Sequence, residues 1–296
     1  MKFGFIGLGQ MGAPMALNLA KQTSVIAYDR DAQIVSDLRG KGLNTTNNQS
    51  DLCNVDVIIL CLPTGQIVQS CLFDRQTGIA STLRKGTTVV DTSTIDHATT
   101  LQLASDLQIL GMDFIDAPVS GMQTRAENGT LTMMCGGDAQ IIEKLHQSLS
   151  AMANKILHMG PVGSGQTTKL VNQLLFDINA AAIAEILPLA VKLGLNPTQI
   201  SEVINSSSGR SFASEFFTPH ILNGDFNNGY PMSAAYKDLV NGAQISKNHN
   251  IPTPVLSAAT KTYEQALDQG HGDKDKGAMI LVFEKLLNVA FRKSAP

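Results

Sequence analysis

The sequence predicts an α/β chain, with a doubly wound parallel sheet in the first half and helices alone in the second. Three observations carry this. Short, near-continuous apolar runs alternate with helical stretches up to about residue 160. A G-x-G-x-x-G turn lies between the first run and the first helical stretch. After His158-Met159-Gly160-Pro161 the strand-like runs stop, and one long helical pattern begins at Ser164.

In order, KFGFIGL reads as a strand, MGAPMALNLAKQ as a helix with Met15 and Leu19 on one face, and SVIAYD as a second strand. VDVIILCLP, TTVVDTS, MDFIDAPVS and TLTMMCGG are further strand candidates. Strands alternating with helices specify a parallel sheet with helices on its faces. The near-continuous apolar strands fit burial on both sides, and right-handed crossovers make such a sheet doubly wound. The pattern from Ser164 to Leu193 is too apolar for a solvated helix and is expected to be buried on most faces. Pro188 is a candidate kink, and Gly194 and Pro197 mark its end. Helical stretches PTQISEVINS, AYKDLVNGAQISKNH, TPVLSAATKTYEQALDQ and GAMILVFEKLLNVAF follow. The expected domains are 1–161 and 162–296, divided where PVGSG breaks the pattern.

Composition narrows the function classes. The 296 residues are 43% hydrophobic and 16% charged, with a formal net charge of −3. That composition is unlike a disordered chain, and no basic excess points to nucleic acid. No uninterrupted apolar stretch reaches the roughly 18 residues of a membrane span, so no membrane role is expected. The N-terminal KFGFIGLGQMG has neither the apolar core of a signal peptide nor the arginines of a mitochondrial leader, so a cytoplasmic location is expected. Cys53, Cys61, Cys71 and Cys135 form no C-x-x-C pair and are read as reduced, structural thiols. The six histidines form no metal constellation, and no metal site is expected.

The chemistry begins at Gly7-Leu8-Gly9-Gln10-Met11-Gly12. Ending a strand and opening a helix, this loop has the form of a dinucleotide-binding turn. Gly7 allows the tight turn, Gly9 lets the backbone approach a pyrophosphate, and Gly12 lets helix and strand pack closely. The helix N-terminus supplies free N–H groups and positive partial charge. Asp29 follows the second strand, 17 residues past Gly12, near the spacing at which an acid meets the adenosine ribose. A carboxylate there favours NAD. Arg30 beside it keeps NADP open, since a guanidinium can hold a 2′-phosphate or lie against the adenine.

Four motifs then resemble the β-hydroxyacid dehydrogenase family, in its order and over nearly the whole chain. They are FIGLGQMGAPMALNL, DAPVSG with GTLTMMCGG, GSGQTTKLVNQ, and KDL at 237–239. That family includes 3-hydroxyisobutyrate dehydrogenase and tartronate semialdehyde (2-hydroxy-3-oxopropionate) reductase. The resemblance implies an N-terminal Rossmann-like domain, an all-helical C-terminal domain and a long helix joining them. It makes Lys169 the catalytic residue, general acid in reduction and general base in oxidation. A lysine withdrawn from water can serve in that way near neutral pH. Asn172 and Gln173 lie three and four residues on, sharing a helical face with Lys169, and the resemblance gives them substrate-orienting roles. Gln173 stands where many members have a second asparagine. Ser120 and Gly121 are implied to hold the substrate carboxylate. Met122 replaces the usual second glycine, and Arg125 replaces a small residue. Met122 lacks glycine's freedom at positive φ, and Arg125 reads either as a second anion contact or as a solvated loop arginine. Leu62, Pro63, Thr94 and Lys237 are implied to touch the cofactor. As isolated residues, Thr94 reads as a helix cap and Lys237 as a surface charge.

The expected activity is an NAD(P)-dependent interconversion of a small β-hydroxy acid and its semialdehyde. Tartronate semialdehyde/glycerate and 3-hydroxyisobutyrate/methylmalonate semialdehyde are the leading pairs, with glyoxylate and succinic semialdehyde reduction close behind. Imine reduction is a related alternative, against which Lys169 counts. A dinucleotide sensor without catalysis is the alternative from another class. A homodimer or homotetramer is expected from the apolar second half and family habit.

Overall fold

The computed structural model describes residues 1–293. The chain divides into two compact units, Met1–Lys169 and Leu170–Pro296.

The first unit is built on β1 (Lys2–Ile6), α1 (Gly12–Ala20), β2 (Ser24–Tyr28), α2 (Ala32–Gly40), β3 (Thr45–Thr46) and β4 (Val57–Leu60). It continues through α3 (Gly65–Phe73), β5 (Thr88–Asp91), α4 (His97–Ile109) and β6 (Asp113–Asp116). Then come β7 (Val119–Ser120), α5 (Met122–Glu127), β8 (Leu131–Gly136), α6 (Ala139–Leu149) and β9 (Ala153–Gly160). The strand order is β3-β2-β1-β4-β5-β6-β8-β7, with β9 on β8. From β3 to β6 every pairing is parallel. The chain leaves β1 for one side of the sheet and returns to its other side at β4, so the switch in direction lies between β1 and β4.

The sheet is covered on both faces because its side chains alternate with period two. Phe3 and Phe5 of β1, Val57 and Ile59 of β4, and Val90 of β5 enter one core with Met15, Ala16 and Leu19 of α1. Ile6, Ile58, Leu60 and Val89 enter the other with Val68 and Leu72 of α3 and Leu103 and Leu107 of α4. The expected run of strands and helices is present. Two strands in this unit lie outside it: β3 is a two-residue edge strand, and β9 is an edge strand with mostly exposed side chains, including Lys155 and His158. An edge strand wetted in this way shows no apolar run.

The helix α7 (Ser164–Lys192) is followed by α8 (Pro197–Ser206), α9 (Phe212–Asn223), α10 (Met232–Asn248), α11 (Pro254–Asp268) and α12 (Ile280–Leu287). The second unit packs Ala180, Ala181, Ala184 and Leu187 of α7 against Phe217, Ile221, Leu239, Tyr263 and Ile280. Helix α9 is absent from the sequence reading because Pro219 lies inside it. It holds through a Ser211–Ser214 capping box and through Phe217 stacked on Phe176 with centroids 5.7 Å apart. The expectation that α7 is buried on most faces is not met: Val171, Leu175, Ile186, Leu189 and Leu193 are exposed. Only part of its surface, from Ala180, Ala181, Ala184 and Leu187 with Phe176 and its neighbours, closes the core. By length and composition α7 is also apolar enough to cross a membrane, the one such helix among the described residues.

Candidate active site

The registers of the parallel strands place their last residues in one row, Tyr28–Ile6–Leu60–Asp91–Asp116. At a strand spacing of about 4.8 Å that row spans about 19 Å. The expected site segments follow its members directly: Asp29-Arg30 after β2, the glycine loop after β1, Leu62-Pro63 after β4, Thr94 after β5 and Ser120-Gly121 after β6. Ligands of open parallel sheets bind outside these carboxyl ends at the switch point.

Two of the three loop glycines are demanded by packing. A Cβ on Gly7, whose φ is +95°, would collide with the Cys61 carbonyl oxygen, and one on Gly12 would collide with that of Gly7. Gly9 has nothing within 4 Å of where its Cβ would stand, so the protein itself does not require glycine there. A bound pyrophosphate does, and the residues present fit a dinucleotide. Met11, at the N-cap of α1, makes no side-chain cap bond, whereas Asp31, Thr64 and Asp96 cap the next three helices. Asp29 is tied to the loop itself: its carboxylate accepts from the Leu8 N–H at 2.7 Å and the Asp31 N–H at 3.0 Å. The Leu8 N–H is thereby directed at Asp29. Gln10 is exposed and Met11 half-buried. Arg30 is exposed beside Asp29.

Leu62 donates its N–H to the Ser93 hydroxyl at 2.9 Å, which joins the loops after β4 and β5, and Pro63 beside it is exposed. Thr94 is exposed and does not cap α4. That cap is Asp96, whose carboxylate accepts from the Thr99 N–H at 2.8 Å, which corrects the reading of Thr94 as an isolated residue. Ser120 ends β7 opposite Thr132. Gly121 has φ +143° and Met122 φ +59°, so Met122 keeps a left-handed backbone without glycine. Its side chain is exposed. Arg125 is helical rather than in a loop. It packs on Gly121, and its guanidinium donates to Asn154 at 3.4 Å.

Lys169 lies in the second turn of α7 and is 9% exposed. The start of that helix is anchored by Asp116, whose carboxylate accepts from the Gly163 N–H at 2.7 Å and the Gln166 N–H at 2.9 Å. The approach is close: a Cβ on Gly165 would meet the Asp116 carbonyl and carboxylate oxygens. Burial pushes the Asp116 carboxyl above its ordinary range despite these donors. Burial, helped by the neighbouring Asp116 carboxylate, pushes Asp91 up to about 7 against hydrogen bonds from Ser93. Burial likewise lifts the thiols of Cys61 to about 11 and of Cys71 and Cys135 to about 12, which keeps them protonated and unreactive at neutral pH. Asp91, Ser93, Asp116 and Gln166 were not singled out from the sequence. The available signal was an aspartate ending each of two buried strands, TVVD and DFID.

Asn172 and Gln173 continue α7 into the second unit, exposed and half-buried respectively. Lys237 is exposed on α10, whose Leu239 enters the second core. Among the described residues no group of three or more His, Cys, Asp or Glu could hold a metal ion.

The comparisons with known proteins identify the family. Residues 2–160 match the family described as the NAD binding domain of 6-phosphogluconate dehydrogenase, and residues 163–283 that described as NAD-binding of NADP-dependent 3-hydroxyisobutyrate dehydrogenase. The chain is 39% identical to 2-(hydroxymethyl)glutarate dehydrogenase of Eubacterium barkeri, over 98% of this chain and 97% of that one. It is 36% identical to mitochondrial 3-hydroxyisobutyrate dehydrogenase of Drosophila melanogaster, over 92% and 86%. The structure of Mycobacterium tuberculosis 3-hydroxyisobutyrate dehydrogenase with L-serine superimposes with a TM-score of 0.84 at 31% identity, covering 95% of this chain and 98% of that one. A dinucleotide turn at the switch point, followed by a helical second unit, and relatives of this identity along almost the whole length lead to one conclusion: the chain belongs to the β-hydroxyacid dehydrogenase family and is an NAD(P)-dependent dehydrogenase acting on a CH–OH group.

Proposed function

We propose that this dehydrogenase interconverts HOCH2–CHR–COO⁻ and its semialdehyde, with Lys169 as the proton-transferring group. The observation that carries the reading is Lys169 itself, a lysine only 9% exposed at the start of the helix that Asp116 anchors. A primary alcohol must lose its hydroxyl proton as the carbon is oxidised, and a positioned side chain accelerates that transfer. Bound NAD(P) supplies the hydride chemistry at that carbon. Lys169 takes the hydroxyl proton in oxidation and returns it to the carbonyl oxygen in reduction. Ser120 and Gly121 hold the carboxylate, and Asn172 and Gln173 orient the substrate.

The names of the relatives support the shared core of the substrate. 3-Hydroxyisobutyrate, 2-(hydroxymethyl)glutarate and L-serine are all HOCH2–CHR–COO⁻, with R a methyl, a carboxyethyl or an ammonium group. Glycerate, the reduced form of tartronate semialdehyde, has R a hydroxyl. Asp29 supports NAD as the preferred cofactor, because a carboxylate there repels a 2′-phosphate. The exposed row Val171, Leu175, Ile186 and Leu189 on α7 supports a homodimer or homotetramer.

The test is nicotinamide absorbance with NADH and NADPH against tartronate, methylmalonate and succinic semialdehydes, 2-formylglutarate and glyoxylate. Turnover is expected with an aldehyde bearing an α-carboxylate, faster with NADH. Lys169→Ala is expected to lower kcat by about 10²–10⁴-fold while cofactor binding persists. Near-wild-type turnover of that variant would sink the assignment of Lys169.

A further inference from the structure

Gln166 is 3% exposed and lies one turn before Lys169, on the same side of α7. Its side-chain amide bonds at both ends to one loop. Nε2 donates to the Ser93 carbonyl at 2.7 Å, and Oε1 accepts from the Ile95 N–H at 3.1 Å. The residue between those partners is Thr94. The orientation of the amide is determined, since turning it over would set oxygen against oxygen and N–H against N–H.

The network extends from Ser93. Its hydroxyl accepts from the Leu62 N–H, and its own N–H donates to Asp91 at 3.0 Å. The backbone N–H of Gln166 meanwhile donates to Asp116. One side chain therefore links the loop after β4, the loop after β5 and the helix that carries Lys169. Three near-isosteric replacements lose one or both bonds. Glutamate lacks the donor when ionised, asparagine is one methylene short, and methionine has neither group.

We propose that Gln166 is a positioning residue for the reaction. By holding residues 93–95 to the first turn of α7, it sets where Lys169 stands relative to Thr94. It touches neither substrate nor cofactor in this role and acts through those two residues. The inference rests on the assignment of Lys169 above. Small displacements of a reacting group are costly, about a hundredfold for roughly 1 Å, so an effect on kcat is expected rather than on cofactor binding.

The experiment compares Gln166→Met, Gln166→Glu and Lys169→Ala with the wild type, using kcat across pH, cofactor titration by fluorescence and thermal unfolding. Gln166→Met is expected to lower kcat by roughly ten- to a hundredfold, with cofactor affinity changed less than about threefold. Gln166→Glu supplies a signature that a structural role alone does not. When protonated, its carboxyl regains a donor for the Ser93 carbonyl, so its kcat relative to wild type rises as pH falls. Asp91, Asp96, His97, Asp116 and Lys169, titratable groups on the elements around it, are common to both proteins, and the ratio isolates position 166. A folded Gln166→Met with wild-type kcat overturns the inference, as does a Gln166→Glu ratio that is flat with pH. The latter decides the matter if Gln166→Met does not fold. If Lys169→Ala is inert and the Gln166 variants turn over as fast as the wild type, only the inference falls. If Lys169→Ala turns over normally, the functional assignment falls and takes the inference with it.

Discussion

Gly9 and Gly12 lie three residues apart and are glycine for different physical reasons. The Cβ of Gly12 would meet the Gly7 carbonyl and, at 3.2 Å, the Phe5 ring, whereas that of Gly9 would enter open space. Gly9→Ala is therefore expected to leave the melting temperature within a few degrees of wild type and to weaken NAD(P) binding by about tenfold or more. Gly12→Ala is expected to destabilise the fold by about 1–3 kcal/mol through overpacking. Thermal unfolding and cofactor titration of both variants separate the two roles, and equal losses of stability would refute the distinction. Met122 shows the opposite relation between residue type and backbone. It takes φ +59°, a region glycine enters without strain, at a cost of about 1–2 kcal/mol, and its side chain is exposed. The sequence indicates a departure at this position. It does not indicate whether the backbone would follow the side chain or the side chain the backbone.

The element that matters most is the row of strand ends, because hydrogen-bond register alone places Asp91 beside Asp116. Asp91 is fully buried, and its Oδ2 has no hydrogen-bond partner. Its pKa is raised in the fold to about 7 from an ordinary 3.8. Between those values the folded chain retains a proton that the unfolded chain releases, so stability falls as pH rises through about 4 to 7 and the loss is complete above it. Asp91→Asn keeps the acceptor for the Ser93 N–H and removes the titration. The variant is expected to gain on the wild type by on the order of a few kcal/mol between pH 4.5 and pH 8. Urea unfolding at both pH values tests this, and a constant difference between the two proteins would contradict it. Strand existence was legible in TVVD and DFID, since buried parallel strands are apolar throughout. The adjacency of their last residues was not, because register is a property of the pairing. Strand β9 and helix α9 escaped for related reasons: one is a wetted edge, and the other holds a proline that aromatic packing and a capping box outweigh.

On the scale of the whole chain, the second unit is closed by a buried ion pair joining residues 99 positions apart, Lys276 and Asp177. The Lys276 ammonium also lies 4.2 Å from the centre of the Phe176 ring. Removing one partner strands a buried charge. Lys276→Met is expected to cost about 3–5 kcal/mol, and Asp177→Leu with Lys276→Met to recover most of it. Additive losses in that double-mutant cycle would exclude the pair as a coupled unit. Apolar periodicity, glycine spacing and strand-to-helix turns are local in the chain. For that reason the amino-acid sequence by itself determined the doubly wound sheet, the dinucleotide turn, the long helix bearing Lys169 and the family. The tertiary structure decided which polar groups meet in the interior: Gln166 with Ser93 and Ile95, Asp116 with the start of α7, and Asp177 with Lys276. Those partners lie about fifty to a hundred residues apart. A buried polar group takes whichever donor or acceptor the packed backbone brings within about 3 Å, and no local pattern records that choice.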